Sequence, residues 1–145
     1  MRLWHKDLIP YLPKQQLISQ WRECIAIAKK IAEFGEPHHR LVNKIMDYPI
    51  SNFYRYTDTV ISELFDRGYK VSPLALKNFE DLMQKIDPNY DEEVHWDSIF
   101  FLWHTKDYLV QCYYNLQEKA DCDIINQYEW ARIERFMDIH YSELV

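Results

Sequence analysis

Residues 14–34 read KQQLISQWRECIAIAKKIAEF, and this stretch decides the fold class. Its apolar side chains recur three and four positions apart, which is the spacing of one face of an α-helix. They are Leu17, Ile18, Trp21, Ile25, Ala28 and Ile31. Pro13 before the stretch suits a first helical turn, and Gly35 after it suits a helix end. The pattern therefore predicts a long helix from Lys14 to Phe34.

The rest of the chain carries similar start and stop signals for helices. Proline, serine, threonine, aspartate and glycine at the usual cap positions predict helices over residues 37–46, 51–67, 72–86, 105–117 and 123–140. Residues 87–97 form an acidic loop, and the apolar run 99–103 is compatible with helix or strand. We expect one all-α domain over residues 1–145, a compact bundle of about five to six helices.

Composition narrows the class of protein. With 145 residues, 48% hydrophobic and 16% aromatic, the chain can bury a substantial core. Two glycines are few for an all-β fold or a phosphate-binding loop. Arg2, Lys6 and Asp7 interrupt any apolar leader, and no apolar run is long enough to cross a membrane. The three cysteines are an odd number and lack the spacing of a disulfide framework. We therefore expect a cytoplasmic protein, and the absence of a long apolar run predicts no membrane partner.

The charges are divided unevenly along the chain. The net charge is −6, but residues 1–77 carry 12 basic and 8 acidic side chains. Residues 78–145 carry 5 basic and 15 acidic side chains. An anionic partner such as DNA is therefore expected at the mildly basic half, residues 1–77, where we also expect the active site. The acidic half, residues 78–145, could instead contact a basic protein partner.

Common catalytic and metal-binding patterns are missing from the sequence. There is no His-Glu-x-x-His, no Cys-x-x-Cys and no Gly-x-Ser-x-Gly. Cys24 and Cys112 fall on the apolar sides of predicted helices, where buried thiols are usually inert. We expect neither a metal nor another cofactor. A hydrolase with a metal site assembled from His5, His38 or His104 is kept as an alternative.

The first residue and one glutamate offer a different chemistry. An α-amine has a pKa of about 7.7–8.0, so part of it is a free nucleophile at neutral pH that can form an imine with a sugar carbon. The apolar Leu3 and Trp4 predict that the terminus docks onto the body, and the bulky Arg2 predicts that Met1 is retained. Glu23 falls on the polar side of its predicted helix. That position suits both a solvated side chain and a catalytic carboxylate facing an external substrate.

Residues 12–23, LPKQQLISQWRE, contain an aromatic-Arg-Glu triplet at residues 21–23. They resemble the first helix of the pyrimidine-dimer DNA glycosylase (endonuclease V) family, which has this triplet as its hallmark. Residues 60–71, VISELFDRGYKV, are similar to a family helix that ends in Arg-Gly-aromatic. The opening Met1-Arg2-Leu3-Trp4 is similar to that of a divergent branch. The resemblance covers roughly the first half of the chain.

The resemblance implies a function and a set of site residues. In the family, the N-terminal amine attacks the sugar C1′ of a damaged nucleotide, an imine forms, and an abasic-site lyase step can follow. It implies Met1 as the nucleophile and Glu23 as the assisting carboxylate. It also implies DNA contacts by Arg2, Arg22, His39 and Arg40. We therefore predict a DNA repair glycosylase that acts on damaged pyrimidines in double-stranded DNA.

The chain also departs from the family pattern. The family's nucleophile follows a trimmed methionine, whereas an untrimmed Met1 stands in here. The basic tail that helps those enzymes hold DNA is not recognisable, and the corresponding half is acidic, so weak non-specific DNA binding is expected. The alternative function is a non-catalytic helical interaction module that keeps the fold. Its acidic residues, such as Glu129 and Glu134, would contact a basic partner.

Overall fold

The computed structural model describes residues 2–141. Five α-helices account for most of them: α1 Lys14–Phe34, α2 Ile50–Asp66, α3 Pro73–Ile86, α4 Lys106–Asp121 and α5 Gln127–Tyr141. Three short 3-10 helices span Lys6–Tyr11, Val42–Asp47 and Trp96–Ser98. Because no strand occurs among these residues, the prediction of an all-α fold is confirmed.

Helix α1 is the central element and forms as predicted. It packs against α2 and α3, and its apolar face is buried, with Trp21 packing edge-on against Phe79 at 5.6 Å between ring centroids. The helix ends at Gly35, whose φ of +82° is the left-handed conformation that glycine adopts without steric cost. The glycine N–H donates to the Ile31 carbonyl at 2.8 Å.

Two predicted helices differ at their starts. The helix predicted over residues 37–46 begins only at Val42, and it is the 3-10 helix Val42–Asp47. The reason is the positive φ of +57° at His38, which an α-helix cannot contain. The last helix begins after Asn126 rather than at Asp123, because Asp123 has a φ of +59°. The Asn126 side chain accepts the Glu129 N–H at 2.9 Å and so caps the helix.

The apolar run 99–103 is neither helix nor strand but a pair of turns. Phe100 is completely buried with a φ of +50°, a backbone conformation that bulky residues rarely adopt. The Asn52 side-chain oxygen accepts the Phe100 N–H at 3.0 Å. This bond secures the turn against the start of α2.

The cysteines and the helix lengths bear on two further expectations. Cys24 and Cys112 are buried as predicted, whereas Cys122 is exposed. Burial raises the pKa of the Cys24 thiol to about 12, so that it stays protonated at neutral pH. No helix within residues 2–141 is long and apolar enough to cross a membrane.

Arg67, the arginine of the Arg-Gly-aromatic block, holds the segment just before α1. Its guanidinium donates to the Leu12 carbonyl at 2.7 Å and to the Pro10 carbonyl at 3.1 Å. A third nitrogen pairs with Glu63 at 2.8 Å. Arg67 thereby ties the end of α2 to the segment that leads into α1. The planar, five-donor guanidinium is suited to hold several oxygens at once.

Replacement of Arg67 should therefore weaken the whole fold. We expect Arg67→Ala to lower the free energy of unfolding by about 2 kcal/mol, because two backbone carbonyls and Glu63 lose a charged donor. Arg67→Lys should lower the free energy of unfolding by a smaller amount, since an ammonium group keeps the charge but cannot reach all of the same acceptors. Urea unfolding measures both variants, with Arg135→Ala on the exposed side of α5 as control. An Arg67→Ala protein as stable as that control contradicts the assignment.

A buried pair of histidines joins the start of the chain to α4. His5 and His104 stack with ring centroids 5.1 Å apart. Nδ1 of His104 accepts the Lys6 N–H at 2.9 Å, and Nδ1 of His5 accepts the Asp7 N–H at 3.1 Å. His5 Nε2 donates to the His104 carbonyl at 3.0 Å. Both imidazoles must therefore be neutral, because a protonated Nδ1 could not accept a backbone N–H.

This pair should make the protein acid-sensitive. Burial lowers the pKa of His5 to about 4 and that of His104 well below its usual value. Below about pH 6.5 the unfolded chain binds protons that the native pair does not, so stability falls as the pH falls. We expect a loss of about 1 kcal/mol per histidine between pH 7 and pH 5.5.

Urea unfolding at a series of pH values measures this dependence. His38→Gln, at an exposed position after α1, should leave the slope of stability against pH unchanged. His104→Gln should reduce it. A wild-type protein with equal stability at pH 7 and pH 5.5 would show that the pair is not neutral in the native state.

Candidate functional site

An open cleft lies between the start of the chain, α1 and the end of α4. Its volume is about 560 Å³. The lining side chains are mostly polar or charged: Arg2, Trp4, Gln16, Ser19, Gln20, Glu23, Asn115, Glu118, Lys119, Cys122 and Ile124. The cleft therefore joins the two halves of the sequence. Residues 2–23 supply one part of its lining, in the half where we expect the active site, and α4 with the residues after it supplies the opposite wall.

Glu23 is half-buried in this cleft, one turn after Gln20 on α1. Its Oε2 accepts the Arg2 backbone N–H at 3.3 Å, and Gln20 Nε2 lies 3.5 Å from the same oxygen. The Glu23 carboxylate therefore contacts the peptide nitrogen that follows Met1. Met1 itself lies outside the described residues, so its role as nucleophile stays a prediction.

No strand among residues 2–141 lies beside the segment Arg2–Trp4, and side chains from three helices form hydrogen bonds with its backbone. Gln20 of α1 accepts the Trp4 N–H at 2.9 Å and donates to the Arg2 carbonyl at 2.9 Å. Tyr56 of α2 donates to the Trp4 carbonyl, and Tyr108 of α4 donates to the Leu3 carbonyl, both at 2.6 Å. Burial raises the pKa of both tyrosines, so each hydroxyl keeps its proton for donation.

The charges that line the cleft are balanced. The Arg2 guanidinium stacks over the Trp4 ring, 4.8 Å from its centroid, which holds this cation in the cleft by a cation–π contact. Lys119 supplies the second basic group, and Glu23 and Glu118 supply two acidic groups. These four side chains have formal charges that sum to zero, although the whole chain has a net charge of −6.

The other predicted DNA contacts lie outside the cleft. Arg22 is exposed on α1, next to Glu23 in sequence but on a different side of the helix. His39 and Arg40 follow the end of α1, and that end lies about 17 Å along the helix axis from Glu23. His39 Nδ1 accepts the Leu41 N–H at 3.3 Å. The structure therefore brings Arg2 to Glu23, but not His39 or Arg40.

The structure does not bring the three histidines of the metal hypothesis together, because His38 lies apart from the stacked pair His5 and His104. His5 and His104 are bonded to backbone groups, whereas His38 packs against Phe34 at 4.7 Å between ring centroids. No three His, Cys, Asp or Glu side chains within residues 2–141 are arranged to hold a metal ion. The acidic half also uses some of its charges internally, since Glu129 accepts the Lys14 N–H at 2.8 Å and so caps α1.

Sequence reasoning missed several residues of the site. Gln20 shares the polar side of α1 with Glu23, and this was its only signal in the sequence. No sequence signal marks Tyr56, Tyr108 and Lys119, which lie far along the chain from its first residues. Only the packing of α2 and α4 brings them to the start of the chain.

Comparison with known protein families identifies the family of this chain. A family model described as pyrimidine dimer DNA glycosylase matches residues 1–77, more than half of the 145-residue chain. No curated protein and no solved structure matches the chain. The family match supports a role of the DNA repair glycosylase type, with DNA as the partner. The chain belongs to the pyrimidine dimer DNA glycosylase family.

Proposed function

We propose that this protein removes damaged pyrimidines from double-stranded DNA and cleaves the resulting abasic site, using the α-amine of Met1 and the carboxylate of Glu23. One observation carries the proposal: Glu23 Oε2 accepts the Arg2 N–H at 3.3 Å inside an open cleft. A carboxylate in contact with the second residue is in place to serve an amine on the first residue.

Covalent geometry supports the reach of that amine. Three backbone bonds separate the nitrogens of Met1 and Arg2, which limits their distance to about 4 Å. Because Arg2 is held by Gln20, Glu23 and the stacking on Trp4, the attachment point of Met1 is fixed. This is the preorganisation that an amine nucleophile needs, since it must meet one sugar carbon in one orientation.

The chemistry follows from these two groups. The free amine attacks C1′, the bond from C1′ to the base breaks, and the base leaves with the bonding electrons and takes up a proton. The ring C1′–O bond then opens and a protonated imine forms between C1′ and the amine. Glu23 stabilises the developing positive charge. The Glu23 carboxylate then removes a proton from C2′ as the general base, and the 3′ phosphate leaves. Hydrolysis of the imine frees the amine.

The cleft has the size and polarity for a single extruded nucleotide. Its volume of about 560 Å³ lies within the usual range for small-ligand sites. Glycosylases commonly extrude a nucleotide from the stack into a pocket of the enzyme. Arg2 and Lys119 are in place to neutralise its flanking phosphates.

The proposed DNA surface extends along α1. Arg22 and Lys29 are exposed and lie two helical turns apart, so they fall on one side of the helix. His39 and Arg40 follow the end of α1, and we expect them to contact DNA only if the duplex runs parallel to α1. With so few basic side chains, binding to undamaged duplex should be weak and salt-sensitive.

Borohydride trapping on abasic-site duplex tests the reaction. Wild-type protein should form a covalent adduct, because borohydride reduces the imine to a stable amine. Glu23→Gln should reduce the rate of adduct formation by about 100-fold, since the amide cannot accept a proton or stabilise a cation. Glu33→Gln changes an exposed glutamate farther along α1 and should react like wild type.

The role of the terminal amine has its own control. Intact mass identifies the first residue of the purified protein. A version extended by two residues before Met1 should keep its fold and its helical circular dichroism but form no adduct. If Glu23→Gln or the extended protein reacts at the wild-type rate, the proposed pair is wrong.

Arg22 is tested separately through DNA affinity. Arg22→Ala should weaken binding to abasic-site duplex several-fold and reduce the slope of log affinity against log salt by about one, as for the loss of one phosphate contact. The single-turnover rate at saturating DNA should not change. Fluorescence anisotropy at several salt concentrations measures this, with Arg135→Ala as control. An unchanged slope would remove Arg22 from the DNA surface.

A further inference from the structure

The side chain of Gln20 is buried between the start of the chain and Glu23. It lies one helical turn before Glu23 on α1 and is only 1% exposed. A side chain so enclosed cannot grip DNA. Its carboxamide nevertheless contacts the backbone of Arg2, the residue after Met1, and lies 3.5 Å from the Glu23 carboxylate.

Nearly all of the hydrogen-bonding capacity of Gln20 is used at this place. Its oxygen accepts the Trp4 N–H at 2.9 Å and lies 3.1 Å from the Tyr56 hydroxyl. Its nitrogen donates to the Arg2 carbonyl at 2.9 Å and lies 3.5 Å from Glu23 Oε2. Only a carboxamide offers two N–H donors and an acceptor oxygen on one planar group.

These bonds fix the register of the first residues. The carbonyl of Arg2 and the N–H of Trp4 lie on one edge of an extended segment, because residues two apart face the same way. Gln20 pairs with both, as a neighbouring strand would. The opposite edge presents the Leu3 carbonyl, which accepts the Tyr108 hydroxyl at 2.6 Å. A slip of one residue would expose the wrong edge to each partner.

We propose that Gln20 is a positioning residue, which sets the register of residues 2–4 against Glu23 and thereby fixes where the terminal amine acts. This inference rests on the proposed function. Gln20 acts through Glu23 and the first residues, without touching the substrate. A glutamate at this position would have no N–H for the Arg2 carbonyl and would place a second carboxylate beside Glu23.

Two variants separate positioning from DNA binding. In Gln20→Met the Trp4 N–H loses its acceptor, so its hydrogen exchange in the free protein should become at least about 10-fold faster. The single-turnover trapping rate on abasic-site duplex should fall about 10-fold or more, because the amine is misplaced. The affinity for that duplex should stay within about two-fold of wild type. Gln84→Met, at an exposed position on α3, is the matched control.

Gln20→Glu adds a pH signature. As the pH falls from 8 to 5, the introduced carboxyl gains a proton and with it an O–H donor. Its trapping rate, divided by the wild-type rate at the same pH, should therefore rise toward one. Gln20→Met and Gln84→Glu should show no such rise.

The outcomes are distinct. Unchanged Trp4 exchange in Gln20→Met, or lost protection with a normal trapping rate, overturns the positioning role. Where Gln20→Met does not fold, a pH-independent rate ratio in Gln20→Glu overturns it. Absence of any adduct with wild-type protein is a failure of the proposed function. The exchange of Trp4 in the free protein then still decides whether Gln20 sets the register.

Discussion

The buried backbone of Arg2–Trp4 sets the main constraint on this structure. Backbone N–H and C=O groups that leave water must find partners, and the described part of the chain places no strand beside this segment. Gln20, Tyr56 and Tyr108 supply those partners from three different helices. The helices must therefore pack so that three polar side chains converge on one short segment. The position of Glu23 against Arg2 follows from that convergence.

The acidic half of the chain serves largely as the support for the start of the chain. His104 and Tyr108 hold the first residues, Glu129 caps α1, and Arg132 donates to the Pro10 carbonyl at 3.2 Å. These contacts explain how a family member can have an acidic second half and keep a site at its beginning. The negative charge outside the cleft should instead limit the affinity for undamaged DNA.

The sequence predicted the fold class and the helix from Lys14 to Phe34, because apolar spacing and caps are local signals. It missed the positive φ at His38 and Asp123, which tertiary packing imposes. For the site, the triplet ending in Glu23 was recognisable by resemblance alone, since a polar helix face fits many roles. Lys119 could not be predicted, because only packing brings α4 beside α1. The resemblance also implies DNA contacts by His39 and Arg40, and neither side chain lines the cleft.

The central claim is that the nucleophile is the terminal α-amine of Met1. Among residues 2–141, Lys119 supplies an amine that lines the cleft. An α-amine has a pKa about two to three units below that of lysine, so far more of it is unprotonated at neutral pH. Peptide mapping by mass spectrometry of protein trapped on abasic-site DNA decides between them. The account predicts that the sugar remnant is attached to the α-amine of Met1. Attachment to Lys119 with an unmodified N-terminus would contradict it.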